Sequence, residues 1–425
     1  MHAPGSAPRT GSQPTTVAII GAGVVGLCCA LQAQRKGYRV TLIDREAPGK
    51  GASFGNAGYI ATELINPLST GKTLRSALCL WLSPRGPLAL PLRYLHWILP
   101  WLARFVMAAR PAQVARSRDG LVALNRAAVA AWQRCLEDIG ASAQLCRSGY
   151  LLVWESSNRL DDAHRHAEDL RQWNIRTELV QGARLVELEP ALAGTVSHAL
   201  YFPDACQVRE PYSLCQELFK ALQTRGADFV QQAVEKLMPD NDGVGLQTDT
   251  GVLHFDQVLV CAGAWSKPLL QGVGIEVPLE AERGYHLSFE GVGTELNRPI
   301  GSAERRFVMS PLDSGLRAVG FTELGGLKLK PFARRFRVLR HHSQALLPAL
   351  ANPALKTREW MGHRPTLPDS LPVIDRHPLH QRLWFAFGNQ HLGLTQAAIS
   401  AELVVSMMSG EAPPIDPQPY RVDRF

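Results

Sequence analysis

The sequence predicts an α/β fold, a domain of parallel strands and helices joined to a second, α+β domain. Three observations carry this. The chain has 425 residues, too many for one ordinary core, so two domains or one large insertion are expected. An apolar strand near the N-terminus runs into a glycine-rich turn and a helix. Two more apolar strands, far downstream, run into turns of small residues.

The strand is Thr16, Val17, Ala18, Ile19 and Ile20, apolar enough to be buried on both faces. It enters Gly21-Ala22-Gly23-Val24-Val25-Gly26, and a helix is expected over 27–36, ended near Gly37. A second strand over 38–43 ends at Asp44. This is the Rossmann-type order of strand, G-x-G-x-x-G, helix, strand and acid. Gly21 permits the tight turn, Gly23 lets a pyrophosphate approach the backbone, and Gly26 lets the helix pack on the sheet. The helix N-terminus, with Val24 and Val25 in its first turn, offers free N–H groups and partial positive charge to phosphate. Asp44 can accept both ribose hydroxyls and would repel a 2′-phosphate, which argues against NADP. Arg45 follows it.

The composition is that of a globular enzyme, 46% hydrophobic and 20% charged. A net charge of +7 admits nucleic acid, an anionic membrane or an acidic substrate. No dense Lys/Arg tract, zinc spacing or aromatic-basic pattern occurs, which sets nucleic acid aside. The eight cysteines form no C-x-x-C pair and read as reduced, buried thiols in a cytoplasmic setting. Residues 1–15 are rich in Pro, Gly, Ser and Thr, lack an apolar signal core and are expected to be a mobile tail. No stretch is apolar enough to suggest a spanning helix. Residues 77–109 come closest, with Trp81, Trp97 and Trp101 among leucines and Arg85, Arg93 and Arg104. The expected role is a buried helical hairpin over the ligand site. The second reading is peripheral contact with the inner face of the cytoplasmic membrane.

The glycine motif alone does not separate FAD from NAD. Three further segments decide for FAD: Gly51-Ala52-Ser53-Phe54-Gly55-Asn56-Ala57-Gly58, a strand over 257–261 into Ala262-Gly263-Ala264-Trp265, and a strand over 383–387 into Gly388-Asn389-Gln390-His391-Leu392-Gly393-Leu394-Thr395. With these, the chain from about 16 to 410 resembles the D-amino acid oxidase superfamily of FAD proteins. Within it the chain looks like D-amino acid dehydrogenases, especially D-hydroxyproline dehydrogenases.

The resemblance implies an FAD domain over 16–78, 200–276 and 355–425. It implies a substrate domain over 79–199 and 277–354, with an antiparallel sheet on one flavin face and a helix over 121–139. Ser53, Asn56, Ala57 and Gly58 would line the pyrophosphate and flavin. Val234 would offer its backbone to the adenine, and Ala262, Gly263 and Trp265 would close over the ADP moiety. Gly388, Leu392, Gly393, Leu394 and Thr395 would pass the flavin's pyrimidine edge. The relatives' covalent attachment uses a C-terminal Cys, whereas the last Cys here is Cys261, so the FAD is expected to be non-covalent.

Oxidation of an amino acid needs a cation for the carboxylate, ideally a planar fork. Arg364, in Gly362-His363-Arg364-Pro365, matches the family's G-x-R-P and is the first candidate. Tyr285 and His286 follow on a strand and should face opposite sides, so one of the two is expected to point at substrate; the resemblance implies that Tyr285 would lie over the flavin and donate to the carboxylate. His391 could meet a hydroxyl or the carboxylate. Glu63 could meet a substrate amine but is expected as an exposed loop acid, and Asp369, Asp375 and Arg376 as turn-forming or solvated. The histidine pairs His164/His166 and His341/His342 lack zinc-like partners, so no metal is expected.

The expected function is FAD-dependent dehydrogenation of a D-amino or cyclic imino acid, cis-4-hydroxy-D-proline favoured, with electrons leaving to a quinone or other carrier. An oxidase passing electrons to oxygen, and an FAD-binding subunit that needs partner chains, are the alternatives.

Overall fold

The computed structural model describes residues 14–83, 85–292 and 296–425. The expected tail therefore lies outside the described residues, apart from its last two.

The first domain is built on a six-stranded sheet, in the order Asp228–Gln231, Arg39–Asp44, Thr16–Ile20, Gln257–Val260, Leu383–Phe387, Val373–Arg376. The first five are parallel and the last antiparallel. Strand Thr16–Ile20 is central and buried on both faces. Val17 and Ile19 pack under helix α1 (Val24–Arg35), while Ala18 and Ile20 meet Leu237, Val244 and Leu246 of a small antiparallel sheet. A strand with no solvent face needs no polar alternation. All eight cysteines are free thiols; Cys28, Cys29, Cys206, Cys215 and Cys261 are buried, but Cys79 is exposed and Cys135 and Cys146 half-buried, contrary to expectation.

The second domain is built on a nine-stranded sheet. Its path runs Thr357–Thr366, Glu280–Phe289, Gly315–Leu324, Phe307–Leu312, Ile300–Ser302, Tyr150–Trp154, His198–Phe202, Glu178–Gln181. Most pairs are antiparallel, and Leu88–Ala89 joins Gly315–Leu324 in parallel. Helix Ala333–Leu346 covers one face, burying Phe336 and Leu339 against Tyr285 and Leu287.

Two expected boundaries move. Strand Thr357–Thr366, expected in the FAD domain, pairs along its whole length with Glu280–Phe289. Strand His198–Phe202 straddles the boundary expected at 200 and belongs to the second sheet. The helix expected over 121–139 runs Pro111–Asp138 (here α4). It packs on the first domain: its Trp132 indole donates to the Leu394 carbonyl at 2.8 Å, and Gly120 accepts from the buried Tyr420 hydroxyl. Asp369 and Asp375 also serve the C-terminal segment, holding Arg424 and the Val422 amide.

Residues 71–108 form α2 (Gly71–Leu82) and α3 (Leu95–Ala108). They roof the space between the domains, but not as a buried hairpin. Ile98 and Trp101 are buried, whereas Trp97 is 69% exposed.

Candidate active site

A cavity of about 1720 Å³ lies between the two large sheets. The glycine turn, Asp44, the 51–57 loop, Val234, Ala262 to Trp265 and the segment from Gly388 to Leu394 all open onto it. Segments more than 300 residues apart in sequence thus meet in one groove.

Gly21 has φ +110°, and a Cβ there would stand 2.4 Å from the Cys261 carbonyl oxygen. A Cβ on Gly26 would overlap the Gly21 carbonyl, at 1.8 Å. The turn is therefore pressed against strand Gln257–Val260 and against its own helix. A Cβ on Gly23 would meet nothing nearer than the Ser53 hydroxyl, at 3.4 Å. The turn is tied by Asp44, which accepts from the Ala22 amide at 2.7 Å, and by Ser53, which accepts from the Val24 amide at 2.9 Å. At the far end the Arg45 guanidinium lies 4.7 Å from the Trp265 ring centre. A helix N-terminus, an acid at a strand end and a cradle of missing side chains fit the pyrophosphate and ribose of a dinucleotide.

Some expected cofactor contacts stand behind the wall. Gly26 serves the close helix packing expected of it. Gly58, at φ +75°, is wedged against Leu312 and the Val208 carbonyl. Leu392 is buried, and the Thr395 hydroxyl accepts from the Ala61 amide at 2.9 Å. These residues shape the lining but do not form it. Asn56 opens onto the cavity; its side chain accepts from the Gly58 amide, and its carbonyl takes Nη1 of Arg317, a buried arginine paired with Glu210 at 3.0 Å.

Arg364 projects into the cavity from the edge strand. Its Nη1 donates to Glu282 Oε1 at 2.8 Å and to the Phe321 carbonyl at 2.9 Å. Glu282 is 2% exposed and also accepts from the hydroxyls of Thr322 and Thr366. The guanidinium lies over Gly284, where a Cβ would come within 2.4 Å of its Cζ. The Nε and Nη2 edge carries no protein partner among the described residues. That leaves one side of the fork for a carboxylate. His391 stands beside this pair. Burial pushes its pKa down to about 4, Glu282 opposes this and Arg364 adds to it. The imidazole is neutral at pH 7.

The strand alternates as expected, but Tyr285 takes the other face. Its hydroxyl donates to Glu323 at 2.8 Å and accepts from the Phe332 amide, and its ring meets Phe336. Tyr285 borders the cavity, but its hydroxyl is engaged by Glu323 and the Phe332 amide and does not point to a carboxylate at Arg364. His286 is on the cavity side of the strand but does not reach the cavity. It stacks on Trp360 with ring centres 5.0 Å apart, and burial, then Arg317, pushes its pKa down to about 3.

Glu282 and Trp360 belong to no motif of the sequence, although Glu282 lies on the same side of its strand as Gly284, two residues on. Glu63 is not the exposed loop acid expected. This carboxyl is 6% exposed, lines the cavity and accepts from the Tyr59 hydroxyl at 2.5 Å. Burial raises its pKa to about 7. It lies just after strand Tyr59–Ile60, where the chain turns inward beneath α4 and the Asn125 side chain bonds the Leu64 carbonyl.

The sequence pattern of the FAD dependent oxidoreductase family matches residues 16–407. The chain belongs to that family. Its cofactor is FAD, and its chemistry is oxidation of D-amino acids or related amino acids. A D-amino-acid oxidase of Bradyrhizobium diazoefficiens is 33% identical, over 96% of this chain and 98% of the relative. A D-amino acid dehydrogenase of Paramagnetospirillum magneticum is 29% identical, over 96% and 98%. The solved glycine oxidase from Geobacillus kaustophilus shares the fold with a TM-score of 0.77 at 21% identity, covering 97% of this chain and 99% of that one.

Proposed function

We propose that this chain dehydrogenates a D-amino or cyclic imino acid, with cis-4-hydroxy-D-proline the favoured substrate. The FAD is held non-covalently, and the electrons leave to a quinone or another carrier. The observation that carries the reading is Arg364, fixed by Glu282 on one edge and open to the cavity on the other.

When bound, FAD supplies the acceptor for the hydride from the substrate Cα. The chain supplies position. Arg364 anchors the carboxylate through its open edge, and Glu282 keeps the guanidinium from turning. His391, neutral at pH 7, can accept a hydrogen bond from a ring hydroxyl or from the substrate nitrogen without competing for the carboxylate. Holding the Cα–H in line is most of the task, so no protein base is required. The helix Gly393–Met408 begins at the cavity wall, where its N-terminus favours negative charge on a reduced ring. Cys261 opens onto the glycine turn with its thiol pKa raised by burial, which suits packing and not attachment.

Anaerobic addition of D- and L-amino acids to the purified yellow protein tests this, followed near 450 nm, a general flavin band at about that wavelength. Bleaching by D-imino acids supports the reading. A yellow protein that no amino acid bleaches would move the assignment to a subunit that needs partners. The D-amino-acid oxidase relative favours a second reading in which oxygen is the acceptor. Rapid reoxidation by air would establish it.

A further inference from the structure

Helix α3, LHWILPWLARFVMA, is apolar apart from His96 and Arg104, both of which are exposed. Ile98, Trp101 and Ala108 face inward, and Ile98 and Trp101 cluster with Leu324. The other half turns Trp97, Leu99, Val106 and Met107 outward, at 69%, 54%, 54% and 47% exposure. Leu82 at the end of α2 and Leu92 just before α3 are exposed as well. An amphipathic surface helix normally turns a polar face outward, whereas exposed apolar side chains gathered in one place mark an interaction face. Charge is gathered there too. Residues 71–110 hold Lys72, Arg75, Arg85, Arg93, Arg104 and Arg110 and no Asp or Glu. Arg93, Arg104 and Arg110 are exposed and form no ion pair among the described residues.

We propose that this face docks on an anionic lipid surface. Helix α3 lies in the headgroup plane, with Trp97, Leu99, Val106 and Met107 at the acyl boundary and Arg93, Arg104 and Arg110 on lipid phosphates. A bilayer offers phosphate and hydrocarbon in adjacent layers, which matches the mixture on this face better than a protein surface would. Trp97 is of the residue type that prefers that boundary. No helix among the described residues is long and apolar enough to cross a membrane, so the contact is at the surface. Trp101, Leu102 and Phe105 of the same helix line the cavity. The docked face and the cavity thus share one wall, which gives a lipid-borne acceptor a short approach. The docking itself does not depend on which amino acid is oxidised.

Co-sedimentation of the full-length, FAD-loaded protein with vesicles tests it. Phosphatidylcholine mixed with phosphatidylglycerol should bind the protein at low salt, phosphatidylcholine alone much less, and added salt should release it. Arg93→Gln/Arg104→Gln/Arg110→Gln should weaken partition on the order of tenfold or more. Trp97→Ser/Met107→Ser should weaken it at every salt concentration. Both variants should keep their flavin and their Tm, since the replaced side chains are exposed. Absence of binding to anionic vesicles overturns the proposal. So does a concentration-dependent oligomer in light scattering that Trp97→Ser/Met107→Ser disperses, because a second copy would then cover the face.

Discussion

Arg364 is held by Glu282, which is itself held by Thr322 and Thr366, so the direction of the fork depends on a carboxylate buried beside it. Removing either partner leaves the other charge buried and unpaired. Arg364→Ala should lower kcat/KM on the order of a hundredfold or more, read by steady-state kinetics with D-amino acids. Glu282→Gln should act mainly on KM, because the charge on Arg364 survives while its direction relaxes. Gly284→Ala should do the same by steric contact with the guanidinium, without removing any charge. Glu63 gives a different test. Its folded pKa of about 7 lies above the ordinary value of 4.5. The folded state therefore binds the proton more tightly than the unfolded chain. Below pH 4.5 both states are protonated and no stability is lost. As pH rises through 4.5 toward 7 the ionised form becomes costly to bury, up to about 3 kcal/mol. Glu63→Gln, which keeps an acceptor for Tyr59, should raise Tm at pH 8 and leave it unchanged at pH 4.

The elements show which side of each segment was open to sequence reasoning. The glycine turn acts through its backbone, so its residues could be named from spacing alone. Gly21→Ala places a methyl against the Cys261 carbonyl at a positive φ. It should yield colourless protein, or protein that fails to fold; absorbance of the purified chain distinguishes these from a neutral outcome. Strand Glu280–Phe289 was also recognisable, and so was the opposition of Tyr285 to His286. Which side would face the cavity was not, because both sides are buried: helix Ala333–Leu346 covers one and the cavity lies along the other. Alternation fixes relative direction only. Tyr285, bound to Glu323, belongs to the support of the sheet.

At the scale of the molecule, the cavity exists only because two sheets from interleaved parts of the chain close on each other. A dinucleotide filling it would contact both domains. Removing FAD should therefore lower Tm by several degrees, and adding it back should restore the lost stability. Linkage gives about 2.7 kcal/mol at a free concentration a hundredfold above Kd. Release of all flavin into solution on acid denaturation checks that the attachment is non-covalent.

Local pattern was enough to mark the first strand, the glycine turn, Asp44 and the small-residue loops, whereas the candidacy of Arg364 came from the family resemblance of Gly362-His363-Arg364-Pro365. The former depend on spacing, missing side chains and short-range geometry, which a linear sequence carries directly. The membership of Thr357–Thr366 in the second sheet, the retreat of Gly58 and Thr395 behind the lining, the buried state of Glu63 and the partnership of Glu282 with Arg364 were decided by tertiary structure. Each depends on contacts between segments distant in sequence, and on how far neighbouring layers exclude water. Burial sets the charge state of Glu63 and His391, and a chain's burial is a property of its packing.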